Sequence, residues 1–135
     1  MPPKKNNRAE IFQKISEAGI SSLEAGWRPF SILIIKDLYQ DGNKVWGSTD
    51  FDRCVISVEE DSDQETARET LLHEITHVIL LTIGFGGYDK EEMGEQHPEG
   101  YIGATNNEHL TLQISRGFLQ MMRLNPELFK ILLGE

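Results

Sequence analysis

Two histidines and a glutamate stand at metal-site spacing inside an apolar run of the sequence, "LLHEITHVILL" at residues 71–81. His73 and His77 are four residues apart, so on a helix they lie on one face, one turn apart. Two imidazoles in that arrangement can bind one metal ion, and the adjacent Glu74 can take a proton from a water on that ion. The apolar neighbours predict a buried helix, in which an unpaired His or Glu would be costly. We therefore favour a metal site over the alternative, two core histidines that each bond a backbone carbonyl.

A catalytic zinc ion usually has three protein ligands and one open position, so a third ligand is expected downstream. The candidates are Glu95, His97, Glu108 and His109. Glu95 and His97 fall in a segment, residues 84–104, whose glycines and weak periodicity are typical of a loop. Glu108 falls in the first turn of a predicted helix that can pack against the His73/His77 helix. Glu108 and His109 are neighbours, about 100° apart on a helix, so both cannot easily face the same ion.

The elements that would position this motif follow from periodicity and turn residues. "RAEIFQKISEAGI" predicts an amphipathic helix, and the helix that carries the motif is expected from Gln64 to Ile83, ending at Gly84. A second long helix is predicted from Asn106 to Leu124, followed after Pro126 by a short last helix. The acidic stretch "EEDSDQET" precedes the motif helix, where negative charge complements the helix dipole.

Three β-rich segments predict a small, mostly antiparallel sheet of three strands. "FSILIIKDLY" and "KVWGSTDF" flank the turn residues "DGN" and are expected to form a hairpin, and "RCVISVEE" supplies the third strand. The predicted fold is therefore α+β, with a three-stranded sheet packed against the motif helix and a second long helix. We expect one domain over residues 1–135, with residues 1–8 as a flexible tail.

Composition narrows the classes of function. The formal net charge of −9 over 135 residues argues against a nucleic-acid surface, which needs clustered Lys and Arg. The start of the chain has no apolar segment behind its positive charges, and the longest apolar run is too short to span a bilayer, so we expect a cytoplasmic protein without membrane contact. The single cysteine, Cys54, lies in the apolar run "CVISV" and is expected to be a buried thiol.

"HEITHVIL", followed by "NNEHLTLQISRGFLQMMRLNP", resembles the gluzincin branch of zinc metallopeptidases in its compact bacterial and phage form. The resemblance covers about residues 30–125 and implies a zincin-like domain. It implies that His73 and His77 are zinc ligands, that Glu74 is the general base, and that Glu108 is the third ligand. The chain has His109 where a second acidic residue is usual in that family, which leaves His109 as the alternative third ligand.

The implied activity is hydrolysis of a peptide bond by a zinc-activated water, with a peptide or protein as substrate. The alternative is a non-enzymatic zincin-like binding or assembly module, such as a component of a phage particle with a phage or host protein as partner. A phage origin would place the protein in the host cytoplasm or in the virion. A substrate peptide is expected along the edge strand, "RCVISV" or its neighbour.

Several side chains around the motif have open roles in this scheme. An acidic rim that favours basic substrates, or simply a solvated acidic face, is expected from Glu59, Glu60, Asp61 and Asp63. The candidates for stabilising the oxyanion of the reaction are Tyr88, His97, Tyr101 and His109. The histidine rings could be oriented by Asp50, Asp52, Asn106 or Asn107.

Overall fold

The computed structural model describes residues 8–84 and 108–134, with the backbone alone for residues 108–111. Within these ranges the chain forms four helices and six strands. In chain order they are α1 (Glu10–Glu17), β1 (Ser22–Glu24), β2 (Pro29–Ile35), β3 (Tyr39–Gln40), β4 (Asn43–Lys44), β5 (Gly47–Asp50), β6 (Val55–Glu59), α2 (Gln64–Thr82), α3 (Glu108–Leu124) and α4 (Pro126–Leu133). The α+β class predicted from the sequence is confirmed.

The main sheet has four strands in the order β1-β2-β6-β5, so the predicted number of three is wrong. The additional strand, β1, is only three residues long and shows no periodicity by which it could be recognised. β1 pairs antiparallel with β2, β2 pairs parallel with β6, and β6 pairs antiparallel with β5. Two of the three pairings are thus antiparallel, as expected.

The "DGN" turn forms the predicted hairpin, but only as the two-residue strands β3 and β4, which make a separate small sheet. Asp41 and Gly42 have φ values of 53° and 79°, the left-handed conformation that tight hairpin turns require. The longer flanking strands β2 and β5 do not pair with each other. Glu59 at the end of β6 explains why, because its carboxylate accepts hydrogen bonds from the backbone N–H groups of Asp37 and Leu38. These bonds hold the chain after β2 on β6, so that β5 returns on the far side of β6.

The sheet and the helices α1, α2 and α4 share one apolar core. Alternate residues of β6 and residues three or four apart on α2 are buried, which is the pattern of a half-buried strand and a core-facing helix. The fully buried side chains include Phe12, Phe30, Ile56, Leu71 and Ile75. Leu71 precedes the motif and Ile75 lies within it, so α2 presents its histidines from a helix that the core holds in place. Cys54 is buried, as predicted.

The motif helix α2 has defined ends. The Asp63 carboxylate accepts a hydrogen bond from the Thr66 backbone N–H at 2.8 Å and another from the Thr66 hydroxyl at 2.9 Å. These two bonds, led by the one from the backbone, lower the pKa of Asp63 below its ordinary value. The helix stops at Ile83 and Gly84, where Gly84 has a φ of 94°. The predicted boundaries of this helix are confirmed to within one residue.

Helix α3 packs closely on α2 and continues into α4. A Cβ atom at Gly117 of α3 would lie 2.7 Å from Ile79 Cγ2, so the glycine lets the two helices approach. Between α3 and α4, the buried Asn125 side chain accepts from the Glu24 N–H at 2.7 Å and donates to the Glu24 carbonyl at 2.8 Å. Asn125 therefore fastens the helix junction to strand β1. The ends predicted for the last two helices are confirmed, whereas the predicted start at Asn106 falls outside the described residues.

The sequence also predicts a flexible tail at residues 1–8 and no segment that spans a membrane. Residues 1–7 of the predicted tail lie outside it, but Arg8 is held by a β-bridge to Asp61 and an ion pair with Glu60 at 3.4 Å. A tail could therefore extend to residue 7 at most. Among the described helices, none combines the length and the apolar character needed to cross a bilayer.

Candidate metal centre

The two motif histidines point at a common position. Their Nε2 atoms are 3.1 Å apart and their rings meet edge to face, with centroids 4.8 Å apart. Two nitrogen ligands of a tetrahedral zinc ion, each about 2.0–2.1 Å from the metal, are separated by about 3.3 Å. The observed separation thus suits two ligands of one ion, and the rings face each other instead of separate backbone carbonyls. His73, Glu74 and His77 each offer a ligand atom within 4.8 Å of the others, so this group can hold a metal ion.

The ring of His77 is packed by Phe51 from the turn between β5 and β6. The two rings meet edge to face, with centroids 6.1 Å apart and an interplanar angle of 81°. The same turn is closed by the Asp50 carboxylate, which accepts hydrogen bonds from the backbone N–H groups of Asp52 and Arg53 at 3.1 Å. Asp50 therefore organises the turn that carries Phe51. Among the described residues its carboxylate contacts this backbone and, at 4.0 Å, the Arg53 side chain, and not a histidine.

Glu74 is buried, with 4% of its surface exposed, although it adjoins the exposed His73. Its Oε1 atom accepts a hydrogen bond of 2.7 Å from the Thr49 hydroxyl of β5. A buried carboxylate needs such a partner, since an unpaired one would be strongly destabilising. The Thr49 bond leaves the second oxygen, Oε2, on the side of Gly47.

Strand β5 passes unusually close to the motif helix at Gly47. A Cβ atom there would lie 2.7 Å from Thr70 Cγ2 and 2.9 Å from Glu74 Oε2, distances that a real side chain could not keep. Glycine is thus the residue that allows the strand to contact the glutamate. Among the described strands β5 is at the sheet edge, whereas "RCVISV" contributes β6, which is paired on both sides. Of the two strands expected to receive a peptide, only the neighbour of "RCVISV", β5, lies at an edge among the described strands.

A cavity of about 310 Å³ opens beside the motif, between the start of β5 and the outer face of α2. It is lined by Trp46, Gly47, Glu69, Thr70, His73 and Glu74. Trp46, Thr49, Glu69 and Thr70 are not among the site residues predicted from the sequence. For Glu69 a signal was available, because it precedes His73 by four residues and so shares its helix face. No local pattern could have paired Thr49 with Glu74, since the contact joins two elements 25 residues apart.

The third ligand stays a prediction. Helix α3 is described from Glu108 onward, but the side chains of Glu108 and His109 are outside the described residues. The loop candidates Glu95 and His97, the orienting candidates Asn106 and Asn107, and the oxyanion candidates Tyr88 and Tyr101 are outside them as well.

Of the four residues expected to form an acidic rim or a solvated acidic face, Glu59 does not, because it is buried under the β3–β4 hairpin. Glu60 pairs with Arg8 at 3.4 Å, and the exposed Asp63 caps α2. Asp61 is exposed. Its backbone bridges to Arg8, which places it at the N-terminal edge of the fold.

No family model, curated protein or solved structure matches this chain.

Proposed function

We propose that this protein is a zinc-dependent metallopeptidase. The observation that carries the proposal is the placement of a buried, hydrogen-bonded carboxylate, Glu74, beside two imidazoles whose Nε2 atoms are 3.1 Å apart. Two nitrogen donors on adjacent helical turns suit zinc, which prefers imidazole and thiolate ligands in tetrahedral sites. A site that served only structure would have no need of a third, proton-accepting group at this position.

Each residue of the site has a distinct part in the proposed hydrolysis. His73 and His77 hold the ion, and Glu108 completes the ligand set in this proposal. When bound, zinc lowers the pKa of a coordinated water to about 7 and polarises the substrate carbonyl. Glu74 accepts the proton of the attacking water through the oxygen not engaged by Thr49, and then delivers it to the leaving amine.

The surroundings of the site support this division of roles. The Thr49 hydroxyl fixes Glu74 Oε1 at 2.7 Å and so keeps the carboxylate from rotating away. Phe51 packs the edge of the His77 ring. The free edge of β5 can pair with an extended peptide, which would bring its backbone past Gly47 and Glu74.

One observation favours a second candidate, a non-enzymatic metal-holding module of the same shape. The Thr49–Glu74 hydrogen bond also ties the edge strand to the motif helix, a structural role that an inactive site would keep. In that case the free edge of β5 would bind a protein partner without cleaving it.

Metal content and hydrolysis together test the proposal. Protein purified without chelator should hold about one zinc per chain, and His73→Ala and Glu108→Ala should each lose it, whereas Thr76→Ala within the same motif should keep it. Glu74→Gln should keep the zinc and lower cleavage of a peptide library by about 100-fold or more. A wild-type protein that takes up no zinc contradicts both candidates. Zinc uptake with library cleavage that Glu74→Gln does not change contradicts the peptidase and favours the module.

A further inference from the structure

The cavity beside the motif differs from the metal position in its chemistry. Its wall contains one aromatic side chain, Trp46, and one carboxylate that the proposed hydrolysis does not use, Glu69. Its volume of about 310 Å³ is at the lower end of the range of small-molecule sites, roughly 300–1,000 Å³. A cavity of this size suits one long side chain.

Glu69 stands out from the other acids of α2. In the described part of the chain its carboxylate has neither an ion pair nor a hydrogen bond, although it is exposed on the rim of the cavity. Glu65, one turn earlier, pairs with Arg68 at 3.2 Å, and Asp63 caps the helix. Within residues 8–84 and 112–134, Glu69 is therefore a negative charge without a cationic partner at the wall of the cavity.

Glu69 is also distinct from the metal ligands. The group of ligand atoms within 4.8 Å of one another contains His73, Glu74 and His77, and it does not extend to Glu69. An anionic group that is near the reacting position but is not among those ligands is available to a substrate.

Trp46 supplies the apolar part of the cavity. Its side chain is 51% exposed although it is one of the largest in the chain. Trp46 lines the cavity together with the neighbouring Gly47, where the strand contacts α2. An exposed indole attracts the stem of a long side chain by apolar contact and a cationic head through its ring electrons. An aromatic surface and a free carboxylate around one cavity together match a basic side chain.

We propose that this cavity binds an arginine or lysine side chain of a peptide, with Trp46 against its stem and Glu69 opposite its charge. This inference rests on the proposed function. The peptide would be the substrate lying along β5, and its basic side chain would lie next to the cleaved bond. The net charge of −9 favours encounter with cationic peptides. Trp46 and Glu69 are thus specificity-determining residues for substrates with a basic residue at one position.

Binding of two small amides that differ only in charge tests this proposal on the full-length protein. Nα-acetyl-argininamide and the neutral isostere Nα-acetyl-citrullinamide would be titrated while the Thr70 backbone amide is followed by NMR. The arginine compound should bind about 5- to 10-fold more tightly, the sum of one exposed ion pair and one cation–π contact. Glu69→Gln should reduce this preference to about two- to threefold, the part left by the cation–π contact with Trp46, and Glu65→Gln, the matched acid one turn earlier, should leave it unchanged. Trp46→Ala should weaken the binding of both compounds.

Three outcomes would overturn the basic-side-chain site: equal affinity for the two amides, no change at Thr70 with either compound, or loss of zinc in Glu69→Gln, which would make Glu69 a metal ligand. The titration measures binding alone, so it is separable from the proposed hydrolysis. A protein that cleaves peptides without preferring arginine retains the proposed function and lacks this subsite. A protein that prefers the arginine compound and cleaves nothing has the subsite on a non-enzymatic module.

Discussion

The two carboxylates that are buried in the described part of the chain, Glu59 and Glu74, have opposite surroundings. Glu59 accepts from two backbone N–H groups, at 3.3 Å and 2.7 Å, and lies 3.7 Å from Lys44 Nζ. Glu74 accepts from a single hydroxyl and lines a cavity next to two imidazoles. Glu59 has enough partners to be a fixed structural element, whereas Glu74 has no hydrogen bond to Oε2 among the described residues, as the proposed general base requires. Burial alone does not distinguish the two acids; the number and kind of their partners do.

Removal of the Glu59 carboxylate is expected to give the largest loss of stability. Glu59→Ala leaves the N–H groups of Asp37 and Leu38 without their acceptor and should lower the free energy of unfolding by about 3 kcal/mol. Urea denaturation measures this loss. Glu74→Ala, the matched change at the other buried acid, leaves only the Thr49 hydroxyl without its acceptor and should cost less than half as much. Equal losses in the two variants would remove the distinction between the two acids.

Gly47 tests how closely the edge strand must approach Glu74. Gly47→Val places atoms where Thr70 and Glu74 already lie, so β5 must shift away from α2 at a cost of about 2 kcal/mol. We expect zinc content to be unchanged, since the ligands are on the helices, and peptide cleavage to fall by at least tenfold. Ser48→Val, at the next position of the same strand, serves as the control and should cause a smaller loss of both stability and cleavage. Normal cleavage by Gly47→Val would show that the strand does not position the glutamate.

Thr49→Val isolates the single hydrogen bond on Glu74. The two side chains have nearly the same shape, so the change removes the hydroxyl donor and should cost about 1 kcal/mol of stability in urea denaturation. Cleavage should fall by about tenfold at unchanged zinc content, because the carboxylate loses its fixed orientation. Thr49→Ser restores the donor and should recover most of the activity. A valine variant as active as the wild type would mean that Glu74 is held by other contacts.

The smallest expected effect concerns Asp63, whose pKa is lowered by its hydrogen bonds to Thr66. A carboxyl group with a lower pKa in the folded than in the unfolded state stabilises the fold above its unfolded pKa, about 3.9, and loses that contribution as the pH falls through the lowered value. Asp63→Asn keeps a capping oxygen and should therefore flatten the pH dependence of the unfolding midpoint below about pH 4. Circular dichroism melts from pH 2 to 6 would measure it. The same acid slope in both proteins would contradict the assignment.

The sequence predicted the helices well because their signals are local. The acidic residues before the helix, the apolar periodicity around His73 and His77, and Gly84 at the end lie within one continuous stretch, and α2 was found to within a residue. The DGN hairpin was likewise predicted by its own turn residues.

The arrangement of the sheet was not predictable in the same way. The parallel pairing of β2 with β6 depends on the contact between Glu59 and the chain at residues 37–38, and the contact of Thr49 with Glu74 depends on which strand takes the edge. Neither contact leaves a pattern in neighbouring residues. The histidines of the site could thus be identified from spacing, but the cavity and the residue that holds Glu74 could not.

The edge position of β5 also has a consequence for dynamics. Among the described strands β5 is hydrogen-bonded to the sheet only through β6, and its contacts to α2 are concentrated at Gly47 and Thr49. Its detachment leaves the pairing of β1, β2 and β6 intact, so we expect it to open locally at a lower free energy than the whole fold. The amide groups of Gly47–Asp50 should then exchange with solvent before those of Val55–Glu59. Transient release of this strand would also break the Thr49–Glu74 hydrogen bond without unfolding the core beneath it.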